Sequence, residues 1–132
     1  MANPNIAGSS TTIYGVTTYL TPGGTSAVVL LPNAASSGQV MKINQIVAAN
    51  VSGSAAVNTT VSIYTNGAQS QGSAPSSGTA FPIASTVSVP VGASLIVVDK
   101  TSALYLMEGT SITVTSGTAS GITYSISYEL IA

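Results

Sequence analysis

A chain of 132 residues is the length of one ordinary domain, and only 4% of this one is charged, against about 25% in average proteins. Its formal charges are Lys42, Lys100, Asp99, Glu108 and Glu129, with no Arg, His or Cys; this excludes His-based nucleophilic catalysis, zinc sites of the His/Cys kind and disulfides. A net charge of −1 offers no footing for nucleic acid, which demands several cationic contacts, and no stretch approaches the ~18 apolar residues of a membrane span.

Residues 1–10 hold Asn3, Pro4, Asn5 and Ile6, with neither a basic stretch nor an apolar run. No secretion signal is read there, and the expectation is a protein made and kept inside a cell. The segment cannot pack a core of its own and is expected to be a mobile arm that a neighbour orders in an assembly. The remaining residues, 11–132, are expected to form a single domain.

From residue 11 the chain reads as short β-runs between Gly, Ser, Asn and Pro clusters. Thr, Val and Ile suit strands, whereas Leu, Glu, Lys and Arg are too scarce for surface helices. A first strand is expected over 11–20, ended by Thr21-Pro22-Gly23-Gly24. Next comes Ala27-Val28-Val29-Leu30-Leu31, a continuous run of the kind buried on both faces, stopped by Pro32-Asn33. In residues 40–52 the odd positions Met41, Ile43, Val47, Ala49 and Val51 form an apolar face, and Lys42, Asn44 and Asn50 point away. Residues 57–63 alternate back after Ser52-Gly53-Ser54, which predicts a hairpin.

Residues 66–80 are the longest loop, polar and without period, and are expected to add little core. Residues 81–89 contain Pro82 and end at Pro90, which confines that strand to an edge. Residues 94–98 are a further apolar run. Residues 103–107 and 111–115 flank a tight turn at Glu108-Gly109-Thr110. Residues 121–131 alternate, with Ile122, Tyr124, Ile126, Tyr128 and Leu130 on one face. Eight or nine such strands predict an all-β fold, a single antiparallel β-sandwich of jelly-roll-like form.

Little remains that could carry chemistry. A glycosidase would need two carboxylates across a cleft, but Asp99 and Glu108 lie in turns and Glu129 on the outward face of the last strand. Three scattered acids are equally poor as a Ca²⁺ cage. No catalytic, cofactor or metal residue is therefore assigned, and a non-enzymatic protein is expected. The sequons at Asn50 and Asn58 mean little without a secretion signal. Tyr124 and Tyr128 read as core, which leaves Tyr14, Tyr19, Tyr64 and Tyr105 for a sugar-stacking platform. So weakly charged a surface gives little colloidal repulsion, and is expected to be covered by neighbours.

Four segments have a joint pattern: Lys42-Ile43-Asn44-Gln45-Ile46-Val47-Ala48-Ala49-Asn50-Val51, then residues 89–100 (Val-Pro-Val-Gly-Ala-Ser-Leu-Ile-Val-Val-Asp-Lys), then residues 104–114 with Glu108-Gly109-Thr110-Ser111-Ile112-Thr113-Val114, and finally Ser127-Tyr128-Glu129. In this order they resemble small virion structural proteins of tailed phages, especially cyanophages. The resemblance implies a β-sandwich that decorates or cements a capsid, binds the major capsid protein and stabilises the phage head, or else serves in a tail or fibre. It implies virion localisation after assembly in the host cytoplasm, and self-association, with a homotrimer expected. From other classes, a carbohydrate-binding module or a surface-layer or pilus subunit stay open; the last is disfavoured by the missing secretion signal. The expected contact residues are Asn3, Pro4, Asn5, Ile6, Asn66, Gln69 and Gln71.

Overall fold

The β-branched runs fold into nine strands in the structure, a computed structural model that describes residues 11–102 and 104–132. The arm expected over residues 1–10, with Asn3, Pro4, Asn5 and Ile6, lies outside the described residues. In chain order the strands are β1 (Ile13–Leu20), β2 (Val28–Asn33), β3 (Val40–Asn50), β4 (Val57–Tyr64), β5 (Ala80–Val89), β6 (Ser94–Val98), β7 (Leu104–Leu106), β8 (Thr110–Ser116) and β9 (Ile122–Ile131). One 3₁₀ turn, Lys100–Ser102, separates β6 from β7.

All pairings are antiparallel. The first sheet has the order β1-β9-β3-β6, with β7 also on β3, and the second has the order β2-β8-β4-β5. The chain changes sheet at nearly every connection, so that β1/β2, β9/β8 and β3/β4 lie in matching positions of opposite layers. This wrapping is a jelly roll, the double-Greek-key form of a two-sheet sandwich. Between the sheets Leu30, Ile43, Ile46, Leu106, Ile112, Ile122, Tyr124 and Ile126 are buried.

The expected hairpin across Ser52-Gly53-Ser54 is not formed: β3 and β4 belong to different sheets. Each has one apolar face, and the two bury those faces against each other through the core rather than edge to edge. The turn at Glu108-Gly109 likewise passes from one sheet to the other, with Gly109 at φ 76°.

The face expected along β3 also changes. Register shifts between Ile43 and Gln45 where β3 pairs with β9, a bulge that inserts Asn44. Met41 and Ile43 point inward before it, and Ile46, Ala48 and Asn50 after it, because one extra residue exchanges the two faces of a strand. Val47 and Ala49 are thus only half-buried and Val51 is exposed, whereas Asn50 is buried. A second bulge, between Val29 and Leu31, lets Val29, Leu30 and Leu31 all be buried, and β2 runs on through Pro32 and Asn33 where a stop was expected. β5, with Pro82, is an edge strand as its prolines require.

Candidate interaction surface

The two sheets have outer faces of different character. On the second sheet, Ile63 and Ile112 face the core, so Tyr64, Ser62, Ser111 and Thr113 face outward, yet all four are buried. The loop of residues 65–79 bonds to two of them. Ser111 Oγ donates to the Asn66 carbonyl at 2.8 Å, and Gly78 N donates to Tyr64 Oη at 3.0 Å. At β2, Val29 N donates to Ser73 O at 2.9 Å and Val29 O accepts from Gly72 N at 2.8 Å. The loop thus contributes a small polar layer outside the sheet, which its composition did not predict. Gly67 sits against main chain: a Cβ there would overlap the Asn33 carbonyl oxygen and lie 2.5 Å from that of Thr110.

Three of the expected contact residues lie in this loop. Asn66 Nδ2 donates to Ser76 O at 2.9 Å and its Oδ1 accepts from Ala68 N at 3.0 Å. Gln69 Nε2 donates to Ser76 Oγ at 3.0 Å. Gln71 Nε2 donates to Thr18 Oγ1 at 3.0 Å and Leu30 O at 3.1 Å, reaching both β1 and β2. All three side-chain amides therefore hold the loop in shape and in place. A cleft of about 300 Å³ opens beside them, lined by Pro32, Ser37, Met41, Gly67 and Gln69 among others, and the buried Gln69 Oε1 has no hydrogen-bond partner.

On the first sheet the outer face is open across the rows of Tyr19 and Tyr105, and is buried at the end where Val40 pairs with Ile131. Register aligns Tyr19, Ser125, Val47 and Ile96 in one row across it, and Gly15, Glu129, Lys42 and Tyr105 in another. Tyr19 is 73% exposed, Ile96 56% and Tyr105 49%. Lys42 Nζ lies 3.8 Å from Glu129 Oε2, and Thr17 Oγ1 bonds Ser127 Oγ at 2.9 Å. The face is therefore apolar at its margins, hydroxyl-bearing at its centre, and has one internally matched charge pair. Of the remaining tyrosines, Tyr14 is exposed on the core-facing side of β1, and Tyr64 is buried.

The carboxylates stand apart with local partners. Asp99 Oδ1 accepts from Thr101 Oγ1 at 2.6 Å, Thr101 N at 3.0 Å and Ser102 N at 3.1 Å; bonds from Thr101 and then Ser102 hold its carboxyl below the ordinary value. Glu108 Oε1 accepts from Gly38 N at 3.0 Å, closing the β7–β8 turn onto the β2–β3 connection. Burial pushes the Tyr124 phenol up, opposed by its bond to Thr59, and burial also raises Tyr128.

Sequence reasoning singled out Tyr19 and Tyr105 among the free tyrosines but missed Ile96 and Ile13. The signal was available: in β6, Ser94 and Ile96 share a face that a strand buried on one side only must leave open. No protein-family model, curated protein or solved structure matches the chain.

Proposed function

We propose that this chain is a non-enzymatic structural protein of a phage particle, a capsid decoration or cement protein that binds the major capsid protein and stabilises the head. The observation that carries this reading is the open outer face of the first sheet, with Tyr19, Ile96 and Tyr105 exposed and only the Lys42–Glu129 pair charged. Burying such a face against a capsid strips water from few charges, and unpaired buried charges are what penalise interfaces. The jelly roll is consistent with the proposal by analogy, since capsid proteins use it, but lectin domains do as well.

The test is rebinding of the purified chain to particles that lack it, with mass spectrometry of native particles identifying where it resides. Ile96→Lys with Tyr105→Lys should abolish rebinding while the variant stays folded. Unchanged rebinding, or absence of the chain from head fractions with presence in tails, would overturn the cement reading; the second result would establish the tail or fibre alternative.

A second reading, sugar binding, draws on the exposed rings of Tyr19 and Tyr105, which are free to stack on a pyranose face. A glycan array separates the two, since a cement protein gives no saturable glycan signal.

A further inference from the structure

The sandwich has four sheet edges, and three are closed. Along β2, Val29 exchanges both main-chain bonds with Gly72 and Ser73 of the long loop. Along β5, Pro82 lacks an N–H, Thr86 sits at φ 51° and the register shifts twice. The β6–β7 edge is broken in two by the 3₁₀ turn. Proline, bulges, interruptions and covering loops are the usual protections of a sheet edge.

Among the described residues the fourth edge, β1, has none of these apart from the Gln71 side chain at its end. Its eight residues, Ile13–Leu20, include no charge and no proline, and its pairing with β9 runs without a register shift. Thr12 and Ala132 exchange both main-chain bonds, at 2.8 and 2.9 Å. Hydrogen-bonded pairs alternate along an antiparallel ladder, so the even residues of β1 point their N–H and C=O at β9. Those of Ile13, Gly15, Thr17 and Tyr19 point away from the sheet. Of these groups, only the Tyr19 carbonyl meets a described partner, Gln71 Nε2 at 3.4 Å, and Gln71 has two shorter bonds elsewhere.

The geometry points to β1 as a docking edge for β1 of a second copy of this chain, the two strands pairing antiparallel about a two-fold axis at Val16. Three features select this occupant. The axis must pass perpendicular to the sheet, so residues of one face meet residues of the same face only when paired numbers sum to an even value. Centring on Val16 joins Ile13 to Tyr19 of the second copy and Gly15 to Thr17, which satisfies all four edge residues of each strand with about eight main-chain bonds. Centring on Thr17 would leave Ile13 out.

The Val16 register also places Ile13, 56% exposed, across from Tyr19, 73% exposed, an aromatic to β-branched pair made twice, and such cross-strand pairs are stabilising. Finally, neither strand has a charge to repel or to desolvate. An isologous contact of this kind closes at two copies. A homotrimer closed through this edge would need β1 to pair with one of the three closed edges. The dimer therefore replaces the trimer as the state that the edge supports, and it leaves the outer face of each first sheet free for a larger partner.

The test is sedimentation of the intact chain at micromolar concentration, with two sets of variants. The wild type should sediment at twice the 13.0 kDa of one chain. Ile13→Lys with Tyr19→Lys changes only exposed side chains and should weaken association by at least about tenfold, with the circular dichroism of the fold retained. Val16 would face its own copy as a non-hydrogen-bonded pair, with Cα atoms about 4.5 Å apart, inside the range that a disulfide spans. Because the chain has no cysteine, Val16→Cys should give a covalent dimer on mild oxidation, far faster than Val51→Cys at an exposed site away from β1. A wild type that sediments at one or three times the chain mass would overturn the proposal. So would a dimer that survives the double lysine variant, or equal cross-linking at positions 16 and 51.

Discussion

The side-chain amide of Asn33, at the end of β2, donates to the main-chain carbonyl of Leu106 on β7 at 3.0 Å, and so ties one sheet to the other. The same nitrogen donates to Gln39 O at 3.0 Å, and Oδ1 accepts from Ser37 Oγ at 2.6 Å. Asn50 repeats the device in the opposite direction. At the end of β3 its Nδ2 donates to Val89 O on β5 at 2.8 Å and to Ala55 O at 2.9 Å. Both amides are buried, and both stand where the chain leaves one sheet for the other, where ladder bonding ends and carbonyls would otherwise be orphaned.

Asn33→Ala should lower the free energy of unfolding by about 1–3 kcal/mol, because the buried Leu106 carbonyl and the half-buried Gln39 carbonyl lose their donor. Asn33→Asp should be at least as damaging, since a carboxylate cannot donate to either. Urea denaturation measures both; a loss below about 0.5 kcal/mol, the range of ordinary surface changes, would refute the sheet-tying role.

Tyr124 performs the third cross-sheet tie. From β9 its hydroxyl bonds Thr59 Oγ1 on β4 and donates to Thr115 O on β8 at 2.9 Å. Tyr124→Phe should cost about 1–2 kcal/mol, read as a lowered urea midpoint with an unchanged slope.

Stability should be nearly flat from about pH 5 to 9, because no His is present and the groups with shifted values lie outside that window. The phenols of Tyr124 and Tyr128 titrate higher in the folded chain than their ordinary 10.0. The native state then holds its protons more tightly, so their contribution is complete below that value and disappears as pH rises through the folded one. Asp99 titrates lower in the folded chain than 3.8, so its contribution is present above that value and lost as pH falls through the folded one. Thermal midpoints across the range check this, and a marked slope near pH 7 would contradict it.

Gly67→Ala should destabilise by about 1–3 kcal/mol, the scale of a forced overlap in a packed site, because the obstructing atoms are the main-chain carbonyls of Asn33 and Thr110. Hydrogen exchange should quicken at Gly72 and Val29, whose bonds depend on the seated loop, and remain slow in β9. Protection unchanged throughout would mean that the loop is not held at Gly67.

Lys42→Ala should change stability by less than about 1 kcal/mol, since the pair with Glu129 is solvent-facing at 3.8 Å and exposed pairs contribute little. For the same reason raising salt to molar levels should barely move the urea midpoint.

Much of this protein was decided by local sequence. β-branched residues between Gly, Pro and Ser clusters determined where strands run; β9, from Ile122 to Ile131, alternates as written, and Pro82 placed β5 at an edge. The near absence of charge determined that an exposed face would be neutral. What local sequence left open was partnership. β3 and β4 read as neighbours across Ser52-Gly53-Ser54, and only the shared core, which each must cover from opposite sides, sends them to different sheets. The bulge at Asn44 follows from matching β3 to β9, some eighty residues away, and it turns Asn50 from a surface residue into a buried tie. The cover over Tyr64 and Ser111 arises because main chain on β2 and the Ser111 hydroxyl on β8 require partners, and the loop of residues 65–79 is positioned to supply them. Alternation and turn chemistry act over a few residues and can be read in order; pairing, register and the satisfaction of buried polar groups depend on residues far apart in the chain, and only the folded structure brings those together.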